Sequence, residues 1–152
     1  MSSDAHLLTD LALDLGDHRI RPLYKVSDEE RRLPAGRGGV LDIRLLNGRD
    51  NLQQAIVMRL LTPVGELAGL GHADYGSRLF DLVGRVNTDT TRNLVRLYIL
   101  ESLQQEPRIG KINRIDVRQV ERQPSLVAVE LDVTPIASTD VISIGPFTIS
   151  LI

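Results

Sequence analysis

From residue 127 to 133 the chain reads VAVELDV, with Val127, Val129, Leu131 and Val133 alternating with Ala128, Glu130, Asp132 and then Thr134. A period of two sends successive side chains to opposite faces, so this stretch is expected to be a strand with one face on a core and the other in water. A single strand cannot stand alone, and the flanking sequence supplies neighbours. Before it, Ile115 and Val117 alternate with Arg114, Asp116 and Arg118, and Gln123-Pro124-Ser125 is expected to turn the chain. After it, beyond Ala137-Ser138-Thr139-Asp140, a third strand runs through Ile142 and Ile144, loses its phase at Gly145-Pro146 and resumes with Phe147, Ile149 and Leu151. Proline inside such a run predicts an edge strand or a bulge. Residues 111–152 are therefore expected to form an antiparallel β-meander.

The preceding stretch, residues 50–105, changes to helical periodicity. Leu52, Ile56 and Leu60, with Ala55 between them, form an i, i+4, i+8 stripe. Asp50 with Gln53 three residues on is expected to cap this helix, and Pro63 to stop it near Thr62. Gly65, Gly69, Gly71 and Gly76 then interrupt regular structure. Ser77 is expected to open a short helix through Leu79, Leu82 and Val83, closed by Gly84. Thr88 and Asp89 open a further helix, which carries Leu94, Val95, Leu97, Tyr98, Ile99, Leu100 and Leu103 and ends before Pro107. Its apolar middle predicts burial on several sides. A helical middle followed by an antiparallel sheet is the α+β pattern. Residues 1–47 are the least regular part: Leu11, Leu13 and Leu15 make a short strand-like run, and residues 27–39 (SDEERRLPAGRGG) read as an exposed loop. Two regions are expected, an irregular arm over 1–47 and a domain over 48–152.

A chain of 152 residues suits one core. With 3% aromatic residues and no Trp, base stacking on single-stranded nucleic acid is not expected. A net charge of -2 supplies no field for nucleic acid or anionic membrane. Cysteine is absent, which removes thiolate chemistry and suits a reducing compartment. The start has no signal-peptide pattern and no apolar run approaches the roughly 18 residues of a membrane span, so the expected location is cytoplasmic at synthesis.

Chemistry is sparse. His72 and Asp74 stand two apart on the Gly-rich loop, but two ligands do not close a metal site, and His6 and His18 lie in the arm. Gly69-Leu70-Gly71-His72-Ala73-Asp74 lacks the third glycine of a dinucleotide fingerprint and follows no strand. Glu66 and Glu106 are a conceivable glycosidase pair, yet nothing in their spacing selects them. No catalytic, cofactor-binding or metal residues are expected, and no enzyme activity. Two other features point to contacts with other proteins. In Glu106-Pro107-Arg108, Pro107 fixes the chain after a buried helix, and Arg108 is expected to point outward. Its planar fork suits a partner carboxylate or carbonyl, or it complements the end of its own helix. The final strand, 147–151, has no Lys or Glu beside it from Val141 onward, which leaves it open to strand addition.

Four blocks occur in order: Asn51-Leu52-Gln53-Gln54-Ala55-Ile56, Arg59-Leu60-Leu61-Thr62-Pro63-Val64-Gly65-Glu66-Leu67, Tyr75-Gly76-Ser77-Arg78-Leu79 and Glu106-Pro107-Arg108-Ile109. Together they resemble the gpW-type baseplate wedge family of contractile phage tails. Its relatives include the TssE subunit of type VI secretion and the sheath initiators of extracellular contractile injection systems. The resemblance covers the chain from about Gly48 onward and implies a small α+β domain related to the strand-exchanging part of sheath subunits. It implies a structural role in six copies per baseplate, with larger wedge proteins and first-layer sheath subunits as partners and hub or spike proteins as further ones. It places wedge binding at Glu106, Pro107 and Arg108. Sheath binding falls on the strands of Val127, Val129, Leu131 and Val133 and of Phe147, Ile149 and Leu151. Some members carry a lysozyme-like label, which no catalytic pair here supports. The alternatives are a tail-associated peptidoglycan hydrolase and a free-standing α+β regulatory or binding module.

Overall fold

The computed structural model describes residues 7–14, 25–26, 28–32 and 39–152. The chain runs through β1 (Thr9–Leu11), β2 (Leu13–Asp14), β3 (Lys25–Val26), β4 (Asp28–Arg32), β5 (Gly39–Ile43) and β6 (Leu45–Asn47). There follow α1 (Gly48–Leu61), two short 3-10 turns (Ala68–Leu70 and Leu79–Leu82), α2 (Asp89–Leu103), and the strands β7 (Ile109–Val120), β8 (Gln123–Pro135) and β9 (Ile142–Ser150). This is the expected α+β architecture, with a three-stranded antiparallel meander in the order β7-β8-β9.

The alternating residues of β8 face inward as their pattern requires: Val127, Val129, Leu131 and Val133 are fully buried. They join Leu52, Ile56, Leu60, Ile99, Leu103 and Ile149 in one apolar cluster, so helices and sheet share a single core. The phase break in β9 is a bulge. Val129 pairs with Phe147 and Leu131 with Ile144, so Gly145 and Pro146 together oppose the one residue between. The extra residue lets both Ile144 and Phe147 face inward despite their odd spacing. Glycine is required there, because φ is +103° and a Cβ would stand 2.6 Å from the Val129 carbonyl oxygen.

Helix α2 begins as its sequence predicts, with the Thr88 hydroxyl accepting from the Thr91 N–H. Its burial is narrower than expected: Val95, Tyr98, Ile99 and Leu103 are covered, but Leu97 is 46% exposed. Helix α1 stops at Leu61, before Thr62 and Pro63. Its start corrects the sequence reading. The cap position is Asn47 rather than Asp50, and Asn47 makes no side-chain cap bond. Strand pairing decides the point, because β6 lies against β1 up to Thr9↔Asn47 and the Gly48 N–H then donates to the Leu8 carbonyl. Asp50 remains in the first turn, where its charge complements the helix N-terminus. The meander turn is also displaced. Val120 pairs with Gln123, so Glu121-Arg122 make a two-residue turn with Arg122 at φ +60°, and Gln123-Pro124-Ser125 already belong to β8.

The arm is more regular than its composition suggests. Asp28–Arg32 and Gly39–Ile43 form an antiparallel ladder where a loop was expected, because backbone pairing in register from Asp28↔Ile43 to Arg32↔Gly39 does not depend on apolar side chains. Leu15, His6, His18 and Ser27 lie outside the described residues. The described start of the arm is stitched to α1. The Gln54 side-chain amide donates to the Leu11 carbonyl and accepts from the Leu13 N–H, both at 2.8 Å, while Asn51 donates to the Leu7 carbonyl at 2.9 Å. Leu7 itself is fully buried in the shared core. Among the described residues, no helix is long and apolar enough to cross a membrane.

Candidate docking site

Arg59 lies in the last turn of α1, in phase with the buried stripe. After Pro63 the chain makes its Gly-rich excursion and returns beside the helix end: the Val64 N–H donates to the Ser77 carbonyl at 2.9 Å and the Ser77 N–H to the Thr62 carbonyl at 2.8 Å. The Ser77 hydroxyl donates to the Leu60 carbonyl at 2.6 Å and accepts from the Leu79 N–H at 3.3 Å, which clamps the short turn to α1, although the cap position of that turn is Arg78 rather than the expected Ser77. Ser102 of α2 donates to the Gly76 carbonyl at 2.7 Å, which fixes the second helix to the same loop. These bonds bring Tyr75 beneath Arg59, with the guanidinium 4.5 Å from the ring centroid.

The carboxylate that meets Arg59 comes from the far end of α2. Glu106 is buried, and its two oxygens face different arginines. Arg108 Nε donates to Oε1 at 2.6 Å, and Arg59 Nε stands 3.4 Å from Oε2 without hydrogen-bond geometry. Arg108 therefore does not point outward as expected. It folds back on its own tripeptide, with its side chain 20% exposed, because a buried carboxylate two residues away outcompetes water for the fork. Pro107 is the exposed apex of this junction. Sequence reasoning missed Arg59 and Tyr75 as members of the cluster. The available signal was position: Arg59 follows Leu52 by seven and Ile56 by three, the spacing of the core stripe itself. A cation in that phase needs a buried acid.

Burial alone would raise the Glu106 pKa, but the Arg108 hydrogen bond and the charges of Arg108 and Arg59 outweigh it and hold the carboxyl below its ordinary value. A carboxyl depressed on folding contributes stability that is complete above its unfolded pKa of about 4.3 and is lost as the pH falls through the folded value. We expect the urea midpoint of the wild type to fall more steeply below pH 5 than that of Glu106→Gln. Parallel curves would mean that folding does not lower the Glu106 pKa. For Tyr75, burial pushes the phenol up, with Arg59 acting against it.

Beside the cluster is an open cleft of about 270 Å³ lined by Arg59, Gly71, His72, Ala73, Asp74, Tyr75 and Gln105. The His72 and Asp74 pair of the sequence thus stands on the rim of a cleft, both residues exposed. Glu66 is exposed on the preceding turn.

The expected sheath-binding residues lie on β8 and along or just past β9, with their side chains turned inward. Strand β8 is central, and both its edges are occupied by β7 and β9. The side chains of Val127, Val129, Leu131, Val133, Phe147, Ile149 and Leu151 are buried in the chain's own core. Full burial of such a side chain is worth roughly 1.5–3 kcal/mol, so these residues hold the fold and present no surface. What remains available is backbone. The Leu151 N–H donates to the Ser125 carbonyl, and residues bonded to a neighbour alternate along an antiparallel ladder. Phe147 and Ile149 therefore bond towards β8, while the N–H and C=O groups of Thr148 and Ser150 face the open side of β9. The two sheet edges differ in chemistry. Strand β7 carries Lys111, Arg114, Asp116 and Arg118, and Arg96 of α2 donates to its Ile115 carbonyl at 3.2 Å. On the solvent face Arg114 pairs with Asp132 at 2.8 Å and Arg118 with Glu130 at 3.1 Å. A hydrogen bond from Ser143 and then one from Arg114 lower the Asp132 pKa. Strand β9 has no charged residue.

No protein-family model matches the chain, and no curated protein matches it in sequence. Among solved structures, the chain is similar to a protein from Geobacter sulfurreducens provisionally named a tail lysozyme, at 20% identity and a TM-score of 0.56, over 66% of this chain and 90% of that one. At that identity the likeness is one of fold.

Proposed function

We propose that the chain is a non-catalytic structural component of the baseplate of a contractile injection machine. It docks on larger wedge proteins at the Glu106 junction and starts sheath assembly by accepting a strand on the open side of β9. The observation that carries this reading is a convergence. Arg59, Tyr75 and Glu106 with Arg108 come from three of the four sequence blocks that resemble the wedge family, and they meet around one carboxylate. The tail association named for the structural neighbour points the same way. So does the contrast between an uncharged β9 and a charged β7, because lysines and other charges on an edge discourage pairing.

Deleting the last strand is no test of nucleation, since it would remove core residues. Thr148→Pro is the better probe: it takes away one outward N–H and leaves the inward side chains in place. Losing that one backbone bond removes about 1 kcal/mol, or roughly fivefold in affinity. In co-expression with the sheath and wedge proteins of its own machine, the tagged variant is expected to keep its wedge partners, keep its Tm within a few degrees and lose sheath subunits. Retention of sheath at the wild-type level by a folded Thr148→Pro protein would refute strand addition at β9.

The name of the structural neighbour favours one competing reading, peptidoglycan hydrolysis. A glycosidase acid needs a raised pKa, whereas two arginines hold Glu106 in its ionised form. Clearing of a cell-wall suspension by the purified chain, lost in Glu66→Gln or Glu106→Gln, would favour the hydrolase instead.

A further inference from the structure

The buried part of the cluster is unbalanced. Two guanidiniums, those of Arg59 and Arg108, share the single carboxylate of Glu106. Arg108 takes the directed bond at 2.6 Å, while Arg59 is left at 3.4 Å with its Nε unsatisfied. The Arg59 side chain is only 9% exposed, and among the described residues its Nε has no hydrogen-bond partner. An arginine withdrawn from water in this way normally has its donors filled. Its guanidinium stacks on Tyr75, which fixes its plane and leaves its edge for a ligand. Arg59 also lines the open cleft of about 270 Å³.

We infer that this cleft receives a single carboxylate, the side chain of an aspartate or glutamate of a partner protein, with Arg59 as the cation that meets it. Arg108 is then a positioning residue that holds Glu106. A planar fork in a fixed plane selects a flat two-oxygen acceptor over a point charge. Asp74 on the rim and Asp10 of β1, whose charge reaches Tyr75, are both exposed. Water screens them too well to neutralise the buried excess. They nevertheless weigh against a doubly charged phosphate more than against a single carboxylate. The inference rests on the reading of the chain as a docking component, and it is independent of which machine the chain serves.

The test uses the whole chain, labelled with nitrogen-15, and follows the Arg59 Nε–Hε resonance by NMR. The probes are the blocked tripeptides acetyl-Ala-Glu-Ala-amide and acetyl-Ala-Gln-Ala-amide, and inorganic phosphate. The Glu peptide is expected to shift the Arg59 signal saturably, with the Gln peptide and phosphate at least about tenfold weaker. Arg59→Lys, which keeps the charge and loses the fork, is expected to weaken the Glu peptide about tenfold. A silent Arg59 signal, or equal shifts with the Gln peptide or phosphate, overturns the assignment. Retention by wedge proteins is measured separately on the same preparations. Retention with a silent Arg59 removes this inference and leaves the docking reading standing. Peptide binding without retention does the reverse.

Discussion

Glu106→Ala is expected to lower the unfolding free energy by about 3–5 kcal/mol, the range for breaking a buried ion pair by removing one partner. In a chain of this size that corresponds to a fall in Tm of roughly 10 °C. The loss comes less from the contacts that vanish than from what they leave behind. Arg59, only 9% exposed, would have no counterion among the described residues, and Arg108 would lose the acceptor that turns it inward. Thermal and urea unfolding should show Glu106→Gln as a milder lesion, since an amide still offers an oxygen to one arginine. The double variant Arg59→Met, Glu106→Leu should recover much of the loss, because an apolar pair of similar volume has no charge to strand. A double variant as unstable as the sum of the two singles would show that packing, not charge, dominates this site.

Gly76→Ala is expected to cost about 3 kcal/mol, within the range for a residue forced into a sparsely populated backbone region. Gly76 sits at φ +115°, and a Cβ would run into the Thr62 carbonyl and stand 3.0 Å from the Pro63 carbonyl carbon. The loop cannot yield easily there, because the bonds joining Ser77 to Thr62 and Ser102 to Gly76 hold it from both sides. Gly71 provides the control. It too has a positive φ, +84°, but nothing lies within 4 Å of a Cβ built on it, so Gly71→Ala should cost only about 1 kcal/mol. Equal losses from the two substitutions would locate the whole effect in the dihedral and none in the close approach. Because Tyr75 precedes Gly76, the damaging variant should also move Tyr75 off Arg59, visible as a changed tyrosine fluorescence.

The elements that were legible in the sequence are those whose causes are local. Thr88 caps α2 within its own turn, Pro63 ends α1 by sterics, and the alternation of residues 127–133 needs no distant information. Where the structure departs from expectation, a long-range partner decided. Asp50 is a good capping residue, yet pairing of β6 with β1 starts the helix earlier. The charged run of β4 looks like a loop until β5 is laid beside it. The turn fell at Glu121-Arg122 because the backbone accepted a left-handed arginine there, a conformation its side chain does not advertise. Most instructive is Arg108. The tripeptide stood out correctly, but its orientation depended on a carboxylate buried by α1 and the Gly-rich loop, and no local pattern records that burial. Arg59 was visible only as a charge in apolar phase.

The unequal edges of the meander set a limit on assembly. With charge along β7 and none along β9, the three-stranded meander has a single uncharged edge for strand pairing. A sheet with two open edges can propagate into a fibre, whereas one with a single open edge is a chain terminator for its own kind. Two copies that meet through β9 use up the uncharged edge of each meander. Growth of the meander beyond that point would take a subunit that brings a second edge of its own, so the asymmetry works against self-aggregation through this sheet.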